Sequence, residues 1–485
     1  MRRANDKPRS IRQRLHGALT GFPQSLLAFT ALHLCVLALN LPYLSKIPGW
    51  FFKLREKPAG PLWLVAALAA VPFAIVHRVL AIRGRHAARL VALVLLGGAM
   101  QHGFALLEGR GLDGMRDRIV HTGHADFARA AAAEPSVLGV IVGYDEKLFE
   151  GSLGVYANSK PPGQLVLYMV FERLSRPFAS GAAPEERLAA FQTFAALVWP
   201  FVSYLVIVPL FLLGRSFTSD ENAMLASALY LFVPSVSLIT LHADQVFFPL
   251  FTVFCVWLAT LAFERRSLPL AIASGVAVYL AGFCTFPLFL VLPIAGATTL
   301  SLALGSRTGE RGLKPLWITW GCILGAMVVT DIAFRIAFDY DLVQRYRDAT
   351  AFHGQWRRQF VPSPRAYFNY AFMGTLEYVV WLGVPLAWLV AHHFRRSISA
   401  VLLGAPSGIA LPSSILLALF AALALFGETK VETARLWMFT VPFCCLLAAD
   451  EIARRYPDDR RRIVWWVIPL QWLTVYLTKT HQDFF

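Results

Sequence analysis

Long apolar runs recur along most of this chain, and they decide what it can fold into. Each run is about 17 to 25 residues long, the length that a helix needs to cross the hydrocarbon core of a bilayer. Only 15% of the 485 residues are charged, compared with roughly 25% in soluble domains. The runs lack the polar and apolar alternation that marks a strand of a membrane β-barrel. The sequence therefore predicts an integral membrane protein of the all-α class, a polytopic transmembrane helix bundle.

Basic residues in the links between these runs indicate which ends of the helices face the cytoplasm. Arginine is frequent in the polar N-terminal stretch, and it recurs near residues 83–89, 307–314, 395–396 and 454–462. Because cytoplasmic links carry an excess of Lys and Arg, we place the N-terminus in the cytoplasm. About thirteen spans follow, at about residues 24–44, 61–82, 90–107, 188–213, 222–240, 246–264, 268–284, 286–304, 315–338, 367–391, 406–426, 434–451 and 463–478.

Net charge, cysteine positions and the first apolar run add expectations about partners, thiols and location. The net charge of +15 reports orientation in the membrane, so we expect no nucleic-acid partner. The six cysteines lie within or beside apolar runs, which predicts buried free thiols. No small-residue cleavage site follows the first apolar run, so an uncleaved first helix is expected. A composition rich in Ala and Arg is typical of a bacterial protein, which would place it in the cytoplasmic (inner) membrane.

The longest hydrophilic interruption in the first half of the chain is residues 109–163. Long loops without strong periodicity are more often functional than idle. Orientation by charge leaves residues 164–187 on the outer side as well, and we expect them to form a helix lying in the membrane interface. The sequence therefore predicts a long first outer loop, residues 109–187, that carries the site.

Two aspartates stand out on the predicted outer face. A partly desolvated Asp126 could accept a proton from an attacking hydroxyl, or it could simply cap a helix. Asp244 is the acid of a very short outer turn after His242, so it could act in chemistry or cap the next helix. His121 and His124, three residues apart, could hold a divalent metal ion together with Asp126 or Asp244; solvated loop histidines are the simpler explanation.

Three other positions predict binding of an anionic substrate. Lys160 precedes Pro161-Pro162, which fixes an extended backbone and would hold a cation beside the site, with Tyr156 nearby in the same loop. Glu432 and Arg435 could form an ordinary ion pair three residues apart. Yet Arg near a helix N-terminus opposes the macrodipole, so Arg435 could instead bind a phosphate or diphosphate.

A fourth outer stretch, residues 339–367, interleaves basic and aromatic side chains. Arg345, Tyr346 and His353 are among them. Such a stretch is typical of a membrane-edge belt, and it would equally suit a surface that binds a sugar face and a lipid phosphate.

The order and spacing of these features resemble the GT-C superfamily of polytopic membrane glycosyltransferases, which includes the protein O-mannosyltransferases and the lipid A aminoarabinose transferase. The matching elements are a first-loop acid, a Pro-Pro turn, an interfacial helix, and a second acid two spans later. Here they correspond to Asp126, Ser159-Lys160-Pro161-Pro162-Gly163, residues 164–187, and Asp244. The run Glu432-Thr433-Ala434-Arg435-Leu436-Trp437 is similar to one near the end of some bacterial members. Lys160 stands where the family usually has His, and Phe127 follows the first acid where a second acid is frequent.

The resemblance implies a GT-C-like catalytic core at residues 90–451. Residues 1–89 would add a cytoplasmic N-terminus and two spans, and residues 452–485 a basic loop and the last span. The family transfers a sugar from a polyprenyl-phosphate donor to a lipid, glycan or protein acceptor on the outer, periplasmic face. By resemblance, Asp126 would be the general base, Asp244 would assist or bind a metal, and Arg435 with Lys160 would hold the donor phosphate.

Two other functions remain open from the sequence. A transporter would suit about thirteen spans, and Asp331 and Glu377 fall within predicted spans. No internal repeat accompanies them, and the other ionisable groups gather on one face. A polymerase or ligase of surface polysaccharide with a diphosphate-linked donor would share the outer arginines.

Overall fold

The structure, a computed structural model, describes residues 23–39, 53–54, 60–121, 125–239, 242–305, 312–360, 363–404, 408–426 and 432–483. These residues are helical apart from turns and one two-residue antiparallel pair, in which Lys53–Leu54 (β1) lies beside Gln482–Asp483 (β2). The predicted all-α class is confirmed.

The first third of the chain alternates long apolar helices with short polar ones. The long helices are α1 (Gln24–Ala38), α2 (Leu62–Ala81) and α3 (His86–Leu107). The first outer loop then folds into short helices: α4 (Gly111–His121), α5 (Ala125–Ala133), α6 (Val137–Val142), α7 (Tyr144–Phe149), a 3-10 helix (Val155–Ser159), α8 (Gly163–Ser175) and a 3-10 turn (Arg176–Phe178).

The rest of the chain forms most of the bundle. Its helices are α9 (Pro184–Val202), α10 (Ile207–Arg215), α11 (Asp220–Tyr230), α12 (Pro234–Leu238), α13 (Ala243–Glu264), α14 (Leu268–Cys284), a 3-10 helix (Phe286–Leu290), α15 (Val291–Gly305), α16 (Leu313–Phe338), α17 (Leu342–Phe360), α18 (Pro364–Leu382), α19 (Val384–Leu402), α20 (Ala410–Phe426), α21 (Thr433–Leu436), a 3-10 turn (Met438–Thr440), α22 (Val441–Arg455) and α23 (Arg460–His481).

The predicted count of about thirteen spans is not confirmed. Within the described residues, six helices are long and apolar enough to cross a membrane, or seven if one bent pair counts as a single span. Helix α16 is the clearest example, because only 11% of its apolar window is buried inside the protein and the rest is left to face lipid. The protein is therefore an integral membrane protein, and its described residues form six or seven such helices where the sequence predicts about thirteen spans.

Prolines and one glycine break the predicted spans. Residues 222–240 were expected as one span, but α11 ends at Tyr230 and Pro234 begins a separate short helix, since proline lacks the N–H that would continue the first. The span expected at 367–391 is broken at Gly383, whose φ of 90° lies in the left-handed region. Helices α18 and α19 consequently meet at 112°.

An aromatic cluster ties the first outer loop to the bundle. Tyr168 of α8 stacks on Phe127 of α5 with ring centroids 5.7 Å apart and meets Trp199 of α9 edge-on at 5.4 Å. All three side chains are almost fully buried. Helix α8 also leaves Val170 and Leu174 exposed, as a helix in the interface would; that location stays a prediction.

Candidate active site

A cavity of about 610 Å³ opens where the first outer loop meets helices α13 and α17 and the α21 segment. One part of its wall is polar and charged, and the remainder is aliphatic and aromatic. Its lining residues are Ser159, Lys160, Asp244, Phe248, Thr285, Phe286, Pro287, Leu288, Phe289, Leu290, Leu342, Val343, Tyr346, Ala349, Thr350, His353, Leu423, Phe426, Arg435, Leu436, Trp437 and Phe439. Lys160, Asp244 and Arg435, which were singled out separately in the sequence, thus face one space.

Lys160 is held by its backbone. The buried Tyr144 hydroxyl donates hydrogen bonds to the carbonyl oxygens of Ala157 and Lys160, each at 3.2 Å. After Pro161-Pro162, Gly163 packs so closely on the Phe283 carbonyl that a Cβ there would lie 2.4 Å from the oxygen. Both contacts hold the backbone around Lys160 and thereby fix the direction in which its side chain points.

The Lys160 ammonium forms no ion pair within 4.0 Å with the described residues. Burial lowers the pKa of Lys160, an effect that the carboxylate of Asp244 opposes and Arg435 reinforces. A partly buried ammonium without a close counter-ion favours an anion from outside the protein, because a ligand charge would offset the cost of its burial.

Asp244 lies in the first turn of α13, where a negative charge interacts favourably with the helix dipole. The N-cap position is His242, which makes no side-chain capping bond. Asp244 therefore does not cap the helix, contrary to the simpler expectation. Burial lowers the pKa of His242 to about 3, so its imidazole is neutral at physiological pH.

Arg435 lies between two carboxylates. Its Nη1 is 3.9 Å from Oδ2 of Asp244, and its Nη2 donates to Oε2 of Glu432. Burial acts to lower the pKa of Arg435, but Glu432 and Asp244 outweigh it, with a smaller contribution from Tyr156, so the pKa is raised. The expected pair between Glu432 and Arg435 exists, and it leaves the guanidinium at the wall of the cavity.

Helix α17 covers the other side of the cavity. Its Arg345 is 5% exposed and donates to Oδ1 of Asp145 at 3.1 Å and to the carbonyl of Asn158. These bonds dock α17 on the loop that carries Lys160. His353 of α17 faces the cavity, and burial together with the Lys160 charge lowers its pKa to about 4. Part of residues 339–367 thus lines the cavity, and the binding of a sugar or lipid phosphate there stays a prediction.

Asp126 and His121 lie apart from the cavity lining. Asp126 is 31% exposed, pairs with Arg129 at 3.4 Å, and packs against Gly154. His121 is exposed, with Nδ1 3.1 Å from the Asp117 carbonyl. His124 lies outside the described residues. Among the residues that are described, no three His, Cys, Asp or Glu side chains are grouped to hold a metal ion.

The apolar wall was not foreseen. Residues 286–304 were predicted as one span, and Phe286–Gly305 is long and apolar enough to be one, but its first residues, Phe286–Leu290, form a 3-10 helix before α15 begins. This segment lines the cavity, and Phe286 meets Tyr346 of α17 edge-on at 5.2 Å. Pro287 was the available signal, since proline is favoured in the first turn of a helix and disfavoured in its interior.

Comparison with protein-family models and with curated proteins finds no match. Among solved structures, the chain is similar to the oligosaccharyltransferase AglB of the archaeon Archaeoglobus fulgidus, crystallised with an inhibitory peptide and a dolichol-phosphate. The TM-score is 0.44 at 14% identity, over 66% of this chain and 48% of that one. The apo form of the Archaeoglobus fulgidus oligosaccharyltransferase has a TM-score of 0.43 at 12% identity, over 81% of this chain and 56% of that one. The complex with Zn and sulfate has a TM-score of 0.39 at 14% identity, over 66% of this chain and 44% of that one. The chain thus spans about half the length of these oligosaccharyltransferases.

Proposed function

We propose that this protein is a membrane glycosyltransferase that moves a sugar from a polyprenyl-phosphate donor to an acceptor on the outer, periplasmic face of a bacterial inner membrane. One observation carries the proposal: Lys160, Arg435 and Asp244 share a cavity whose remaining wall is mostly apolar. Two cations suit a phosphate, the apolar wall suits a polyprenyl chain, and a carboxylate beside the cations could accept a proton from an acceptor hydroxyl.

The cations would serve both binding and chemistry. When the bond between the sugar and the phosphate breaks, negative charge develops on the departing phosphate. Arg435 and Lys160 would stabilise that charge, and they would do so more effectively in a cavity shielded from water. The planar guanidinium suits two phosphate oxygens, whereas the ammonium acts as a point charge.

A carboxylate would accept the proton of the acceptor hydroxyl. Asp244 lines the cavity beside the cations, and Asp126 lies outside that lining on the other side of the loop, against Gly154. We propose both as functional, with Asp126 as the base if the acceptor enters from the Gly154 side and Asp244 as the base if it enters through the cavity. Tyr156, Glu432 and His242 would contribute to substrate binding. The proposed steps use the side chains of the described residues.

The features that favoured a transporter have local partners. Asp331 receives hydrogen bonds from Arg335 at 2.8 Å and from Tyr279 at 3.3 Å. Glu377 accepts a hydrogen bond from the backbone of Ala434. Neither acid lines the cavity that holds Lys160, Asp244 and Arg435.

The test is sugar transfer by the purified protein in detergent or lipid nanodiscs, with a panel of radiolabelled polyprenyl-phosphate sugars and a membrane-lipid extract as acceptor source. Asp244→Asn and Asp126→Asn are compared with Asp113→Asn, which changes an aspartate that is 80% exposed. Loss of transfer in either of the first two variants, with the third unaffected, would support the proposal and rank the acids.

Two further arms separate the alternatives. Diphosphate-linked donors are supplied in parallel, and turnover of these alone would indicate a polymerase or ligase. If no donor is bound or consumed and all variants behave like the wild type, the glycosyltransferase proposal fails, and solute uptake into proteoliposomes tests the transporter.

A further inference from the structure

The helix that carries Arg435 is too short to hold itself in place. Helix α21 contains only Thr433–Leu436. Nucleating a helical turn is unfavourable, and isolated helices shorter than about 12 residues are marginal in water. The position of the guanidinium at the cavity must therefore depend on contacts from elsewhere in the protein.

The start of α21 has no cap of its own. Its N-cap residue is Glu432, whose φ of 59° is left-handed, and the Glu432 side chain makes no capping hydrogen bond. That carboxylate instead accepts from Arg435. An N-cap side chain normally accepts a hydrogen bond from the N–H of the second or third helical residue, so an acceptor has to come from another element.

Helix α18 supplies it. Oε1 of Glu377 accepts a hydrogen bond from the Ala434 N–H at 2.9 Å, which is the second helical residue of α21. The Glu377 side chain is fully buried. Three residues earlier on α18, the Gly374 carbonyl accepts a hydrogen bond from the Thr433 hydroxyl. Positions three apart lie on one face of a helix, so a single face of α18 holds the first two residues of α21.

We infer that Glu377 is a positioning residue that caps α21 from a neighbouring helix and thereby fixes Arg435 at the phosphate-binding wall of the cavity. The role of Arg435 as the phosphate ligand rests on the proposed function; the capping itself does not. Glu377 touches neither the cavity nor the reacting atoms and acts through the backbone of Ala434.

The test compares four variants in the full-length protein. Glu377→Ala removes the acceptor, and Glu377→Gln keeps an oxygen that can accept from Ala434. Thr433→Val removes the second tie without a large change in shape and serves if Glu377→Ala does not fold. Glu451→Gln is the matched control. Glu451 is another buried glutamate, paired with Arg396. It lies about 15 Å along α22 from Val441, the end of that helix nearest α21 in the sequence.

Two quantities are measured on each variant: amide hydrogen exchange in the peptide covering residues 432–437, and the dissociation constant for polyprenyl phosphate without a sugar. Glu377→Ala is expected to speed exchange and weaken binding, each by about tenfold, the size of effect that loss of a cap has on a helix. Thr433→Val should act in the same direction. Glu377→Gln should stay within about threefold of the wild type, and Glu451→Gln should change neither quantity.

The two proposals fail in different ways. Unchanged exchange and binding in both Glu377→Ala and Thr433→Val would overturn the positioning role while leaving the glycosyltransferase intact. If the wild type does not bind polyprenyl phosphate at all, the proposed function fails, and the exchange measurement alone still decides whether Glu377 orders the segment. Equal damage by Glu377→Gln and Glu377→Ala would also overturn it, because the capping oxygen would then not matter.

Discussion

Nη1 of Arg435 lies 3.9 Å from Oδ2 of Asp244, although the two residues are far apart in the sequence. Their side chains are 12% and 6% exposed. At that distance the charges attract without an optimal hydrogen bond, since N–H···O contacts are usually 2.7–3.2 Å. The guanidinium is thus held near the Asp244 carboxylate without a tight bond to it, while its Nη2 donates to Glu432, so a phosphate at the cavity would compete with Glu432 and not with Asp244.

Arg435→Ala should weaken binding of polyprenyl phosphate roughly 10- to 150-fold. A hydrogen bond to a charged group contributes about 1.5–3 kcal/mol, and 1.4 kcal/mol corresponds to a tenfold change in affinity. Arg435→Lys should recover part of the loss, because it restores the charge but not the planar fork. Titration with the lipid phosphate measures this, alongside thermal unfolding to confirm that each variant is folded. Equal affinity in all three proteins would contradict a phosphate role.

Binding of the lipid phosphate should weaken as pH rises through the lowered pKa of Lys160. Burial disfavours the ammonium, so the proton is lost at a lower pH than from a solvated lysine, and the neutral amine no longer attracts phosphate. Lys160→Arg should move this loss to higher pH, since arginine stays protonated. Affinity is measured from pH 7 upward in both proteins. A bound phosphate favours the protonated form of Lys160, so the pKa of Lys160 should be higher in the complex than in the free protein. If Lys160→Met leaves both affinity and pH profile unchanged, Lys160 does not contact the ligand.

The docking of α17 on the loop that carries Lys160 should depend far more on Arg345 than on Asp145. Arg345 is 5% exposed and Asp145 is 68% exposed, and exposed ion pairs contribute about 0–1 kcal/mol. Asp145→Asn should therefore leave stability and activity close to the wild type. Arg345→Ala also removes the bond to the Asn158 carbonyl, so hydrogen exchange in α17 should rise and KM for the donor should increase. Equal effects of the two substitutions would show that the ion pair, and not the backbone contact, docks the helix.

Sequence reasoning located much of the candidate site because charge at membrane depth is costly and therefore informative. Lys160, Asp244 and Arg435 were each identified as polar groups beside apolar runs, and the structure brings all three to one cavity. The apolar wall at Phe286–Leu290 was missed because a 3-10 helix and a span have the same hydrophobic composition. Glu377 was taken as a transporter-like acid, since its partner, the Ala434 amide, is defined only by the tertiary fold.

The break at Gly383 gives the sharpest stability prediction. Gly383 has φ of 90°, and a Cβ there would lie 2.0 Å from Oε1 of Gln471, whose Nε2 donates to the Leu382 carbonyl at 3.0 Å. Gly383→Ala should therefore destabilise the protein by about 1–3 kcal/mol, through backbone strain and overpacking. Gly321→Ala in α16 is the matched control: a Cβ there meets nothing within 4 Å, and alanine favours a helix over glycine by about 0.8–1 kcal/mol. Thermal unfolding in one detergent should thus show a lower midpoint for Gly383→Ala and an equal or higher one for Gly321→Ala.

Adding Gln471→Ala to Gly383→Ala should recover the part of the lost stability that comes from the steric contact, but not the part that comes from backbone strain. A double variant no more stable than Gly383→Ala would mean that the backbone conformation, and not the contact with Gln471, requires glycine at the bend.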